Sequence, residues 1–339
     1  MINEESKKNN EPLIIAKNLK KYFVIKGKEL LHAVDDISFE VNSGETMALV
    51  GESGCGKSTV GNVIMRLHPP TAGTLMYNGI DVFKANDMQS MVLRKKMQLV
   101  FQDPFSSLNP RKTVRKIISE AFEIHKYGSK EDIAKAVKES CERVQFPLNL
   151  LDYYPHELDG GMRQVVGIAR ALSLRPDFIV CDEPVSSLDV SIQARIINLL
   201  MDLQKDMGIA YLFISHDLSV VRHISKKIAI MYLGQIVEMA ETEMIFAETL
   251  HPYSIALLSA VPRIDVESKR SRIVLVGDVP SPMNPKPGCR FAPRCWMAHD
   301  DCNNEDPPLR EVSPGHKVAC FYAEEAVERS KIIQKVKLD

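Results

Sequence analysis

The sequence predicts an α/β fold: a sheet of mostly buried strands alternating with helices, interrupted by a helical insertion and followed by a small cysteine-rich C-terminal extension. Three observations carry this. From residue 13 to about 260, short apolar runs bounded by Gly, Asn or Asp alternate with segments of helical period. One run, Met47-Ala48-Leu49-Val50, is apolar on both faces and leads straight into a glycine-rich turn and a helix. Four of the seven cysteines lie in the last 51 residues and nine of the nineteen prolines between Pro262 and Pro314, so the final quarter is built differently.

Residues 1–12 are polar and are expected to be disordered. IIAKNLKKYFVI, AVDDISFEV and ETMALV read as strands, and Lys57 to Leu67 as a helix. A mostly helical stretch runs from about Arg111 to Leu174, where SKEDIAKAVKESCERV opens with Ser129 and Asp132 as a capping box. DFIVCDE is a buried strand, and SIQARIINLLMDLQKDM a helix with Ile192, Ile196, Leu199 and Leu203 on one face. AYLFIS reads as a strand, SVVRHIS as a short helix and KIAIMYLGQIVEM as a hairpin. After Val261 the periodicity fades until the amphipathic AEEAVERSKIIQKVK.

Composition narrows the function classes. With 43 Lys plus Arg against 44 Asp plus Glu, the formal charge of −1 gives no electrostatic footprint for nucleic acid or an anionic membrane. No segment approaches the ~18 apolar residues of a transmembrane helix. MINEESKKNNEPL lacks the apolar core of a secretory signal, so a cytosolic chain is expected. In a reducing compartment, clustered cysteines point to a metal before disulfides.

Gly51-Glu52-Ser53-Gly54-Cys55-Gly56-Lys57-Ser58, followed by Thr59, matches G-x-x-x-x-G-K-[ST] between a buried strand and a helix, the context that motif requires. Glycines let successive N–H groups turn toward phosphate oxygens, and the helix N-terminus adds its dipole. Lys57 then reaches the β/γ-phosphates and Ser58 ligates Mg²⁺. Cys55 occupies an unconstrained position and reads as a filler. A nucleotide site also needs a carboxylate on Mg²⁺ and a group to activate water. The strand ending in Asp182 and Glu183 supplies both, with Asp182 assigned to Mg²⁺ and Glu183 as general base.

Two further motifs complete the pattern: His156-Glu157-Leu158-Asp159-Gly160-Gly161-Met162-Arg163-Gln164 ahead of a helix, and His216 directly after the strand AYLFIS. In this order, with Gln102 of VFQD and SSLD at Ser186-Ser187-Leu188-Asp189, the chain resembles the ATP-binding subunits of ABC transporters over residues 13–260. The resemblance implies a P-loop ATPase core with a mixed sheet, an antiparallel β subdomain and a helical subdomain at about 104–174. It also implies that His216 senses the γ-phosphate, that Gln102 touches Mg²⁺ and water, and that Phe23, or else Tyr22, stacks on adenine. Leu158 to Met162 would act in trans on ATP bound to a second subunit, beside the loop of Ser187, Leu188 and Asp189.

A narrower resemblance, carried by GESGCGKST, VFQDPFSSLNPR, CDEPVSSLDVSIQAR and HPYSIALLSAVPR, is to oligopeptide and dipeptide importers, closest to their F-type ATPase subunit. Residues 261–339 would be that branch's C-terminal extension. The implied partners are a D-type ATPase subunit, two transmembrane permease subunits and an extracytoplasmic substrate-binding protein, with the chain docked on the cytoplasmic face of the membrane. An importer of nickel, a metal chelate, glutathione or another small solute is the alternative in the same class. A soluble ABC ATPase would need tandem domains or a long coiled-coil insertion. Asp159 departs from the family's Ser, setting a carboxylate where a γ-phosphate is gripped; the ATP site built with this C-loop is therefore expected to be the weaker of two.

The four late cysteines follow C-x5-C-x6-C-x17-C at Cys289, Cys295, Cys302 and Cys320, without the close pairs of structural zinc. Such spacing can enclose an iron–sulfur cluster, and the resemblance implies [4Fe–4S]; zinc and free or paired thiols remain the alternatives. Arg290 and Arg294 are expected to offset the charge of a thiolate-bound cluster, with Phe291 and Trp296 packing around it. Cys141 and Cys181 read as core residues.

Overall fold

A computed structural model describes residues 12–25, 27, 29–261 and 273–336; the rest of the N-terminal segment expected to be disordered lies outside them. The chain opens with the antiparallel hairpin β1 (Ile14–Val24) and β2 (Leu30–Val41), then the wholly buried β3 (Thr46–Val50) and helix α1 (Lys57–Ile64). Strands β4 (Ala72–Tyr77) and β5 (Ile80–Asp81) complete a four-stranded antiparallel sheet in the order β2-β1-β4-β5. Helix α2 (Asp87–Lys96) runs directly into β6 (Met97–Val100). The helical insertion follows as α3 (Pro104–Ser107), α4 (Val114–Ile124), α5 (Lys130–Arg143) and α6 (Gly160–Leu172). Ser129 caps α5 with the reciprocal Asp132 contact that its sequence announces.

Alternation then resumes with β7 (Phe178–Asp182), α7 (Val190–Met207), β8 (Ala210–Ser215), α8 (Leu218–Ile224), β9 (Lys227–Tyr232) and β10 (Gln235–Glu241). Helix α7 buries Ile196, Leu199 and Leu203 as its period requires. Strands β9 and β10 form the expected hairpin, closed by Leu233 and Gly234, both with positive φ (42° and 86°), as a two-residue hairpin turn demands. Helices α9 (Thr242–Ala247) and α10 (Pro252–Ser259) lead to the last quarter, which holds β11 (Arg310–Ser313), β12 (His316–Val318) and α11 (Ala323–Val336).

The second sheet has eight strands in the order β11-β12-β10-β9-β3-β8-β7-β6. Its centre, from β9 to β6, is parallel throughout. Strands such as AYLFIS of β8, buried at every position, suit that centre because both faces are covered, one by helices of the insertion with α7 and α8, the other by α1 and the four-stranded sheet. In register, Val50 lies beside Ser215, Asp182 beside Ile214 and Val100 beside Cys181. Four carboxyl ends therefore meet at one edge, the place where open α/β sheets bind ligands.

The final quarter is tied into this framework. Strand β12 pairs with β10, and Met283 bridges to Leu31 of β2, flanked by bonds from His32 N to Pro282 O and from Asn284 N to Leu30 O. Beneath β12 lies Glu238, fully buried on β10. Its carboxylate accepts the backbone N–H groups of Leu250 and His251 at 2.8 and 3.0 Å and faces His316 Nε2 at 2.8 Å. Removing it strands three buried donors at once. Glu238→Ala should cost about 3 kcal/mol of stability by urea denaturation, whereas a loss below about 1 kcal/mol would show these bonds to be dispensable.

Candidate functional site

The turn after β3 can follow its path only with glycine at two points. A Cβ on Gly51 would lie 2.2 Å from Met231 O, and one on Gly56, at φ 106°, would lie 1.9 Å from Ala33 O. The loop is thus wedged between β2 on one side and the β9–β10 hairpin on the other; Gly234 N donates to Cys55 O at 2.8 Å. Gly56 also begins α1, and no side chain caps that helix end, leaving its N–H donors for an anion. Lys57 is buried and donates from Nζ to Gly51 O and Glu52 O at 2.8 and 3.0 Å. Cys55 is buried behind the loop, which pushes its thiol pKa up.

Around this loop is a cavity of about 600 Å³, lined by Phe23, by every residue from Val50 to Thr59, and by Gln102, Glu183 and His216. Ser58 Oγ donates to Asp182 Oδ1 at 2.9 Å, and Asp182 sits behind it at the end of β7. Burial raises the Asp182 pKa, opposed by the Ser58 bond and reinforced by Glu183. Glu183 keeps the ladder bond from its N–H to Ile214 O at 3.0 Å but has φ at 43°, so the chain leaves the strand path at this residue. Its Oε2 accepts Gln102 Nε2 at 3.0 Å and lies 3.3 Å from His216 Nδ1. Residues from three strand ends thus converge on one carboxylate.

Of the two candidate aromatics, Phe23 faces the cavity. Tyr22 is engaged elsewhere, stacked on His32 at 3.9 Å and donating to the Asp35 carboxylate. The C-loop stands apart: residues 158–162 are not among the described lining residues of the cavity. Leu158 is buried, and Asp159 caps α6, its Oδ1 accepting Met162 N at 2.7 Å. Gly160 and Gly161 face Leu188 and Ile192, so the C-loop packs beside the SSLD segment, in which Ser187 and Asp189 are exposed.

Cys289, Cys295, Cys302 and Cys320 line one small cavity of about 20 Å³ together with His251, Phe291, Met297 and Tyr322. Burial pushes the Cys295 and Cys320 thiols up to about 12 and about 11, and holds His251 neutral at about 4. Among the described residues, no group of three or more His, Cys, Asp or Glu is placed to hold a metal ion. Phe291 packs against Tyr232 and Tyr253, and Trp296 donates to Pro252 O at 3.4 Å. The two arginines correct the expectation from sequence. Arg290 binds Asp35 and Leu233 O, and Arg294 binds Glu52, so both guanidinium groups serve the phosphate-loop side instead of the thiols. Cys141 and Cys181 are fully buried core residues.

Comparison with known proteins agrees with this geometry. A family model described as ABC transporter matches residues 34–186, and one described as oligopeptide/dipeptide transporter, C-terminal region, matches residues 237–302. The oligopeptide transport ATP-binding protein AppF of Bacillus subtilis is 47% identical, over 92% of this chain and 98% of its own. The dipeptide transport ATP-binding protein DppF of Haemophilus influenzae is 46% identical, over 93% and 98%. Among solved structures, the ATP-binding cassette MJ0796, a dimer bound to ADP and Pi, superposes with a TM-score of 0.62 at 28% identity, covering 68% of this chain and 98% of that one. Similarity that spans both the phosphate cradle and the cysteine-bearing last quarter makes this chain a member of the ABC transporter family, in its oligopeptide/dipeptide ATP-binding branch.

Proposed function

We propose that the chain is the ATP-hydrolysing subunit that powers import of oligopeptides or dipeptides across the cytoplasmic membrane. The observation that carries this reading is the Glu183 carboxylate, held between the Gln102 amide and the His216 ring at the mouth of the phosphate-loop cavity. Glu183 accepts the proton of a water that Gln102 orients toward the γ-phosphate. Lys57, the loop N–H groups and His216 stabilise charge on the transferred group, and Phe23 stacks on adenine. The Ser58–Asp182 pair, a hydroxyl bonded to a carboxylate whose ionisation burial penalises, suits a cation. Mg²⁺ would be held there, with Gln102 nearby, and would neutralise the β- and γ-phosphate oxygens.

A D-type ATPase subunit would complete the dimer, supplying its C-loop to this chain's ATP while Leu158 to Met162, Ser187, Leu188 and Asp189 serve the partner's site. Two permease subunits would dock where Phe101 and Phe105 are exposed beside a groove of about 580 Å³ lined by Leu99, Ile117 and Arg170, and an extracytoplasmic binding protein would deliver the peptide. The chain would sit peripherally at the membrane; no described helix is long and apolar enough to cross one. The N-cap role of Asp159 explains why a carboxylate is accepted there, because Asp and Ser cap helices comparably. Facing a γ-phosphate in the dimer, the same carboxylate would still repel it by about 4 kcal/mol at 4 Å and an effective dielectric near 20.

Residues 261–339 would be the extension of this importer branch; its four thiols line one apolar-walled cavity of about 20 Å³, and the softness of these donors, not a preformed ligand geometry, supports a metal group there. A [4Fe–4S] cluster would be held by Cys289, Cys295, Cys302 and Cys320 and would cross-link a segment poor in regular structure.

Three measurements test these assignments. Glu183→Gln should lower ATP turnover of the assembled transporter by about 10²-fold or more while nucleotide still binds; unchanged turnover would remove Glu183 from catalysis. Asp159→Ser should raise turnover of the complex, and no change or a fall would count against unequal sites. Anaerobically purified chain should be brown and carry iron and acid-labile sulfide, both lowered by Cys302→Ser, whereas a colourless zinc protein would overturn the cluster.

A further inference from the structure

Glu52 sets a carboxylate inside a loop built to receive phosphates. It lines the same cavity as Lys57. Its backbone is pinned twice: its N–H donates to Tyr253 Oη at 2.9 Å, and its carbonyl accepts Lys57 Nζ at 3.0 Å. The carboxylate is gripped in two-pronged fashion by Arg294, Nη1 to Oε2 at 2.8 Å and Nη2 to Oε1 at 3.3 Å. The Arg294 side chain is only 8% exposed, so water screens this pair less than a surface one.

Arg294 comes from the short turn between Cys289 and Cys295. The same turn carries Arg290, also 8% exposed, which donates to Leu233 O and to the Asp35 carboxylate. Asp35 lies on β2, next to Ala33, which closes over Gly56; Leu233 precedes Gly234, whose N–H holds Cys55 O. One turn therefore grips the phosphate loop directly at Glu52 and braces both of the walls that confine it.

We propose that Arg294 is a positioning residue for nucleotide binding: by neutralising and fixing Glu52 it lets the phosphate loop accept a polyphosphate, which makes the cysteine-bearing turn a working part of the nucleotide site. The proposal rests on reading the cavity as an ATP site and adds to it where the loop's charge balance comes from. With Arg294 removed, a bare carboxylate faces the incoming phosphates. With both partners neutral, the repulsion disappears again.

The test is titration of the full-length chain with a fluorescent ATP analogue and Mg²⁺ at low ionic strength, with circular dichroism to check folding. Arg294→Gln should raise the Kd about tenfold, the scale of one partly screened charge contact, with a smaller loss in high salt. Relative to Arg294→Gln, the double variant Glu52→Gln/Arg294→Gln should recover about fivefold or more in affinity, because no bare carboxylate then faces the phosphates. Arg294→Gln binding as tightly as wild type, or a double variant as weak as Arg294→Gln, would overturn the proposal. If Arg294→Gln alone does not fold, the double variant decides: near-wild-type affinity supports the clamp and a tenfold loss overturns it. A wild type that binds no nucleotide would instead overturn the ATP site itself, and the clamp with it.

Discussion

Parallel pairing at the centre of the large sheet is the constraint on which the rest of the molecule depends. Strands β3, β8, β7 and β6 are hydrogen-bonded side by side in one direction, and parallel neighbours cannot be joined by a tight turn. Each must be followed by a crossover, so the segments leaving Val50, Val100, Asp182 and Ser215 all begin at the same edge. Gly51, Gln102, Glu183 and His216 are far apart in sequence and adjacent in space for that reason alone. The register sets the distances: Asp182 beside Ile214 brings Glu183 N to Ile214 O, and Glu183, at a left-handed φ, has its carboxylate between Gln102 and His216.

Charge at this edge is arranged in local pairs. Lys57 is satisfied by two carbonyls of its own loop, Asp182 by the Ser58 hydroxyl and Glu52 by Arg294. Burial raises the pKa of Asp182 because a carboxylate is costly to ionise away from water, a cost that a bound cation offsets. The α1 N-terminus contributes N–H donors that no side chain caps, so this end of the site favours an anion.

Much of this was legible from sequence because the signals were strong and local. The loop Gly51–Ser58, the buried runs of β7 and β8, the capping box at Ser129 and the Leu233–Gly234 turn each carry their own geometry in a few residues. Strands β4, β5 and β6 and helix α2 lie outside the expected elements. Strand β6 is four residues long and follows α2 without a break, so neither a turn residue nor a change of period separates them. Strands β11 and β12 are hidden for another reason: β12 pairs with β10, about eighty residues earlier, β11 pairs with β12, and their short runs REVS and HKV have little period of their own. The partners of Arg290 and Arg294 are not legible at all, because adjacency to cysteines in sequence says nothing about which way a side chain in an irregular turn points.

The side these two arginines take exposes how the final quarter is held. Outside α11 it has little periodic structure; Phe291 enters the main core, but its other described apolar clusters are small, such as the one around Leu250, Val318 and Ala323. Directional bonds with little freedom add to these contacts: β12 against β10, His316 and two backbone donors on Glu238, Pro282 and Asn284 along β2, and the two buried arginines on Asp35 and Glu52. Such bonds are demanding in geometry, since a buried donor or charge that loses its partner costs more than the bond itself was worth. A segment held this way is either correctly seated or substantially loosened. Because two of its anchor points are the wall and the floor of the phosphate cradle, seating the last quarter and shaping the nucleotide site are one structural event.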